Sequence, residues 1–185
     1  MKKSKIESAD LFPHIREHKY FYLSPDEFVE KGSIAEGPLI MEMYEECDII
    51  IVSTSYHKEI TGSMAYSFVQ NILSPIGNVG FIEVPGSFEL PLTIKLIAER
   101  HKPKLFLALG CIVKGETKHD EYLSATVING LRNLSLEYKT PILNGVITTN
   151  TLQQAIDRAG KKYDKGKDLA NACKQMFDMQ NKLKL

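Results

Sequence analysis

Gly115-Glu116-Thr117-Lys118-His119 places two chemistries in five residues. The segment follows the apolar run Leu105 to Val113 and precedes a helical pattern that begins near His119. A glycine-containing turn between a strand's carboxyl end and a helix start aims unpaired backbone N–H groups at one point, which is a ready anion site. An imidazole at the lip of such a site can move protons near neutral pH. Read by itself, the segment is more simply a βα turn with a solvated histidine. Three other segments change that balance: Val84-Pro-Gly-Ser-Phe-Glu-Leu-Pro91 upstream, and Asn144-Gly-Val-Ile-Thr-Thr149 and Asp157-Arg-Ala-Gly160 downstream.

Apolar runs alternate with helical periods from Asp48 onward. Asp48 to Thr54 is apolar at nearly every position and predicts a buried parallel strand. A helix is expected over 58–73, with Met64, Phe68, Val69 and Ile72 on one side and Ser74-Pro75 as its stop. A strand over 79–84 and a helix over 88–100 follow. The pattern then predicts a strand over 104–113 and a helix over 119–138, with Leu123, Val127, Leu131 and Leu134 inward. After a strand over 141–147, Asn150 is expected to cap a short helix, with Gln153 as the reciprocal residue of a capping box. That helix carries Leu152, Ala155 and Ile156. A last helix puts Leu169, Cys173, Met176 and Phe177 on one face. Strict β/α alternation implies a four-stranded parallel sheet with helices on both faces, a three-layer α/β/α domain over 48–185. Ligands of such sheets bind beyond the strands' carboxyl ends. Ser55 to His57, Gly86 to Glu89, Gly115 to His119 and the residues after Asn144 are all expected there.

Residues 1–47 form a separate N-terminal arm. It holds Pro13, Pro25 and Pro38 and is richer in aromatics than disorder favours, with Phe12, Tyr20, Phe21, Tyr22 and Phe28. Part of it is expected to pack on something, a neighbouring subunit being one candidate.

At 185 residues the chain is long enough for one domain with a proper core. It has 23 basic and 23 acidic side chains. No broad field therefore favours nucleic acid or an anionic membrane as partner. No apolar run is long enough to span a bilayer, and the basic start lacks the apolar stretch of a secretory signal. Cys47, Cys111 and Cys173 are scattered and show neither metal spacing nor a disulfide framework, which suits a cytoplasmic location. Cys111, at the end of an apolar strand, reads as packing. No metal is expected.

Taken together and in this order, the segments resemble the lumazine synthase family. Its patterns are roughly V-P-G-A/S-F-E-I/L-P, G-x-x-I/V-R/K-G-x-T-x-H, G-V-x-T-T and E-x-A-x-x-R-A-G, after a first strand ending in an aromatic. The resemblance covers about Asp48 to the C-terminus. It implies a flavodoxin-like fold and an enzyme that condenses 5-amino-6-(ribitylamino)uracil with 3,4-dihydroxy-2-butanone 4-phosphate. The product is 6,7-dimethyl-8-ribityllumazine, with phosphate and water released and no cofactor or metal. It also implies small-molecule partners, a homo-oligomer based on pentamers with sites shared between chains, and an N-terminal segment that joins the next subunit's sheet.

The resemblance carries roles onto particular residues. Tyr56 matches the aromatic that stacks on the pyrimidine. Ser87, Phe88 and Glu89 match the segment that holds the uracil edge and the ribityl hydroxyls. Gly115, Glu116 and Thr117 match the phosphate loop, with Lys114 in place of its usual arginine. His119 matches the proton-transfer residue, and Glu121 stands where the family has an aspartate. Arg158 matches the arginine that grips the phosphate, and Lys165 a second basic residue if one gap is allowed. Asn144 stands where an apolar aromatic commonly flanks the ring. Ser55-Tyr56-His57 replaces the family's R-F-N. These departures leave two other readings: an archaeal-type riboflavin synthase on the same scaffold, and a non-catalytic flavin- or lumazine-binding or shell-forming member.

Overall fold

The computed structural model describes residues 21–23, 47–72, 78–160 and 162–183. In chain order these are strand β1 (Phe21–Leu23), β2 (Cys47–Thr54), helix α1 (Lys58–Ile72), β3 (Asn78–Val84), a 3-10 turn (Ser87–Glu89), α2 (Leu90–Ala98), β4 (Leu105–Val113), α3 (His119–Tyr138), β5 (Ile142–Thr149), α4 (Leu152–Arg158) and α5 (Lys165–Leu183). Every pairing is parallel, in the order β1-β3-β2-β4-β5. The four strands expected from the alternation are all present and lie side by side, with β5 at one edge. The short strand Phe21–Leu23 adds to the β3 edge of the same chain, with Tyr22 opposite Phe81. The rest of the expected arm, and the Ser74-Pro75 stop, lie outside the described residues.

The strands are buried on both faces, as continuous apolar runs require. Their side chains divide by the period of two. Ile49, Ile51, Leu105, Leu107 and Leu109 point to one face, where they pack with Met64 and Phe68 of α1, Ala155 of α4 and Leu169 and Cys173 of α5. Ile50, Val52, Phe106 and Ala108 point to the other, with Leu90 and Ile94 of α2 and Val127, Leu131 and Leu134 of α3. This is the three-layer α/β arrangement expected. The inward residues of α1, α3 and α5 are those the periodicity selects. Gly166 lets α5 start against α1: a Cβ there would lie 2.6 Å from the Ser67 Cβ.

Two local expectations shift. The cap of α4 is Thr151, whose hydroxyl accepts from the Gln154 N–H at 3.2 Å, while the Gln154 side chain accepts from the Asn150 N–H at 2.9 Å. The box is therefore Thr151/Gln154, one residue later than Asn150/Gln153. β5 extends to Thr149, because Lys114 N–H and the β4 ladder continue past Ile147. The strand's carboxyl end thus lies farther from Asn144.

Candidate functional site

The parallel sheet puts the ends of β2, β3 and β4 on one rim, and hydrogen bonds beyond the strands lock their loops together. Ser55 N–H donates to Val84 O at 2.8 Å and Tyr56 N–H to Pro85 O at 3.2 Å. The Ser55 hydroxyl also donates to Pro85 O at 3.2 Å. The loop carrying Tyr56 is therefore tied to the loop leading into Ser87, Phe88 and Glu89. The next residue, His57, adopts φ 59°. Histidine is among the few non-glycine residues that tolerate this left-handed region. Its ring meets that of Tyr56 edge-on, with centroids 4.5 Å apart.

Ser87 is buried at the base of the 3-10 turn, and its hydroxyl lies 2.7 Å from where a Cβ on Gly110 would stand. That close approach sets the turn on top of β4, beside the start of α3. Phe88 is 64% exposed and Tyr56 66% exposed. Two large rings left open on one rim mark a surface made to be covered. Glu89 is half-buried and precedes α2, where the helix dipole favours its charge.

Residues 114–119 are all exposed. Lys114 N–H is spent on Thr149 O at 2.8 Å, which anchors the loop to β5. Gly115 N–H donates to the Asp120 carboxylate and His119 N–H to the Thr117 hydroxyl, both at 3.4 Å. These are long contacts. The N–H groups of Glu116, Thr117 and Lys118 have no partner among the described residues. A Cβ on Gly115 would meet nothing within 4 Å. The glycine is thus not demanded by crowding within the chain, and the space over the loop stands open to an anion. No hydrogen bond or ion pair joins His119 to Glu121 among the described residues. Two residues outside the expected set belong to this rim. Asp120 holds the loop, and Tyr122, 69% exposed one turn after His119, adds a third open ring. The i, i+3 spacing from His119 was the available signal for Tyr122.

Tyr56, Ser87, Phe88, Glu89, Lys114, Gly115, Glu116, Thr117 and His119 are thus gathered on one rim. Asn144, Arg158 and Lys165 are not among them. Asn144 lies in the first half of edge strand β5, opposite Ala108, and its side chain accepts from the Val146 N–H at 3.0 Å. Asn144 thus sits inside the strand, as the run over 141–147 implies, and β5 continues five residues beyond it. Arg158 is exposed at the end of α4, and Lys165 begins α5. Both helices pack on the α1 face of the sheet, opposite the face of α2 and α3. The Arg158 end is held there by the Ser63 hydroxyl on Ala159 O at 2.7 Å.

A cavity of about 550 Å³ also lies on the α1 side, lined by His57, Glu59, Ile60 and Ser63 of the α1 start and Leu152, Ile156, Ala159 and Gly160 around α4. It shares no other residue with the rim. Burial pushes the Cys111 thiol up to about 11 and that of Cys173 up to about 12, so both are protonated packing groups at neutral pH. Among the described residues, no three His, Cys, Asp or Glu side chains group as metal ligands.

The family model of 6,7-dimethyl-8-ribityllumazine synthase matches residues 46–181. Proteins named 6,7-dimethyl-8-ribityllumazine synthase are similar over the same region. That of Thermococcus gammatolerans is 41% identical over 108 residues, 58% of this chain and 70% of the relative. That of Syntrophus aciditrophicus is 45% identical over 97 residues, 52% of this chain and 63% of the relative. That of Trichormus variabilis is 37% identical over 111 residues, 60% of this chain and 58% of the relative. The aligned stretches thus span between 58% and 70% of these relatives' lengths. Nothing in these likenesses favours a riboflavin synthase or a non-catalytic member.

Proposed function

The chain belongs to the 6,7-dimethyl-8-ribityllumazine synthase family, and on that premise we propose that it condenses 5-amino-6-(ribitylamino)uracil with 3,4-dihydroxy-2-butanone 4-phosphate. An amine attacks the ketone, phosphate departs, and ring closure expels water, leaving 6,7-dimethyl-8-ribityllumazine. The observation that carries this reading is the rim itself. Open aromatic rings and a carboxylate stand beside an anion loop that leads directly into a histidine.

In this reading the Tyr56 face covers the pyrimidine. The Ser87–Phe88 backbone meets the uracil edge, and the Glu89 carboxylate accepts from ribityl hydroxyls. Free N–H groups at Glu116 and Thr117, with the open space at Gly115, receive the phosphate. His119, at the start of α3, passes protons between the condensing atoms. Much of the acceleration comes from holding two reactive partners together. Neither metal nor cofactor has a part in it.

Arg158, Lys165 and Asn144 enter through a neighbouring copy. Each lies away from the rim of its own chain, so a ring of subunits, five in this family, would bring one chain's Arg158 to the next chain's loop. A guanidinium fork then grips the phosphate from the opposite side. The enzyme would work in the cytoplasm: its cysteines Cys111 and Cys173 are buried thiols, and among the described residues no helix is long and apolar enough to cross a membrane.

The test is product formation with both substrates present, after subtraction of the uncatalysed rate, beside solution mass measurement. Turnover needing both substrates in a five-membered assembly supports the reading. Conversion of lumazine alone would instead indicate a riboflavin synthase, and binding without turnover a non-catalytic member.

A further inference from the structure

We propose that Gly110 and Gly130 are positioning residues of the pyrimidine subsite, each leaving a notch that seats one end of Ser87–Pro91 and so fixes Phe88 and Glu89. The inference rests on the substrate roles proposed above and names two residues that touch neither substrate.

Gly110 lies in β4 on the face of Phe106, Ala108 and Ile112. A Cβ there would stand 2.7 Å from the Ser87 hydroxyl oxygen, closer than real Cβ contacts allow. Its two other neighbours, Leu90 Cδ1 and Val146 Cγ1, would be 3.4 Å away, an ordinary contact. The atom in the place of the missing side chain is the Ser87 oxygen, which could step aside only by turning about χ1 within its buried turn. Gly130 lies inside α3, and a Cβ there would stand 3.1 Å and 3.2 Å from two carbons of the Pro91 ring. The ring has no rotamer by which to step aside, so the start of α2 would have to give by a few tenths of an ångström.

The two notches are on different elements and grip the same five residues. Between them are Phe88, with its ring open to solvent, and half-buried Glu89. Packed interiors transmit such shifts and do not absorb them. Filling either notch should therefore move Phe88 and Glu89 more than the phosphate loop, which the Lys114 N–H anchors to Thr149 O of β5. Gly130 offers a separation of binding from folding, because alanine is the better helix former at an interior helical position.

The experiment measures KM for each substrate, and direct binding of the pyrimidine, in Gly130→Ala, Gly110→Ala and Gly110→Ala made in a Ser87→Ala background. The pyrimidine KM should rise on the order of ten-fold, short of the about 10²-fold that a 1 Å misplacement can cost. The KM for the butanone phosphate should stay within about two-fold, since its loop is anchored to β5. Gly130→Ala should do this with its melting temperature held or raised. In the Ser87→Ala background, where the obstructing oxygen is gone, Gly110→Ala should have little further effect. If Gly110→Ala with Ser87 does not fold, Gly130→Ala decides alone. Unchanged pyrimidine binding in Gly130→Ala, equal effects on both substrates, or an equal effect of Gly110→Ala with and without the Ser87 hydroxyl would overturn the proposal. A wild-type chain that takes no pyrimidine at all would overturn the functional reading together with it, and so is distinguishable from failure of the notches alone.

Discussion

Asn144 stands opposite Ala108 in the β4–β5 ladder, five residues before the Val113–Thr149 pair that ends it. At about 3.3 Å per residue this sets Asn144 roughly 16 Å back from the rim that carries His119. Arg158 ends α4, on the face of the sheet opposite α3. In the function proposed above these residues reach the rim from a neighbouring copy, and the complementation outcome below depends on that.

A Tyr56→Ala chain and an Arg158→Ala chain should complement each other. In the proposed ring, Tyr56 of one subunit would meet Arg158 of its neighbour, so a mixed ring would contain some interfaces with both residues intact. Equal co-assembly should restore about a quarter of wild-type sites, by the statistics of a head-to-tail interface. The check is activity at limiting substrate after co-expression. Activity no better than the average of the two separate variants would place both residues in one chain's site.

Arg158→Ala should raise KM for the butanone phosphate roughly 10- to 100-fold, the range of a lost hydrogen bond to a charged group. The KM for the pyrimidine should change little. Initial rates with each substrate varied in turn decide this, and parallel increases would make Arg158 a structural residue.

Tyr56→Ala should weaken pyrimidine binding, whereas Tyr56→Phe should keep it nearly intact. The ring is open to solvent and held edge-on by His57, while stacking uses its face and not its hydroxyl. Titration of the pyrimidine into each variant separates the two. A phenylalanine variant as weak as alanine would assign the function to the hydroxyl.

His119→Ala should cut kcat by about 10² or more, within the range of positioned acid–base catalysis, and leave activity above the uncatalysed rate. Both substrates should still bind, because the N–H groups of the loop do not depend on the imidazole. Complete loss of turnover in an assembled, ligand-binding variant would defeat this role, and an unchanged rate would reduce His119 to a helix-start residue.

His57→Gly should leave stability unchanged or slightly raised, whereas His57→Val should cost about 1–3 kcal/mol. The φ of 59° suits glycine and strains a β-branched residue. Urea unfolding of both variants is the measurement. Equal stabilities would mean the backbone relaxes out of the left-handed region.

Much of the fold was legible in the chain because it depends on short-range periods. Asp48 to Thr54 and Leu105 to Val113 are apolar at nearly every position, the pattern of a parallel strand covered on both faces. Leu123, Val127, Leu131 and Leu134 recur at helical spacing, and α3 turns that stripe inward. Boundaries were less legible, since Asn150 and Thr151 are both competent caps and only the geometry of Gln154 chooses between them. The rim residues Tyr56, Ser87 to Glu89 and Gly115 to His119 could be placed together because each follows a strand end, and parallel strands share one end.

What the sequence could not decide is where residues fall relative to a sheet they do not end. Asn144 reads as a residue inside the strand over 141–147, but that it faces Ala108 follows only from the β4–β5 ladder, because register is a pairing between chain segments and not a property of either. Arg158 and Lys165 look like partners of the phosphate loop by motif, yet α4 and α5 lie on the face opposite α3, where Ala155, Leu169 and Cys173 pack with α1. The notches at Gly110 and Gly130 are likewise invisible in one dimension. A glycine in an apolar run shows that a side chain is missing, but only packing shows that Ser87 and Pro91 occupy the space.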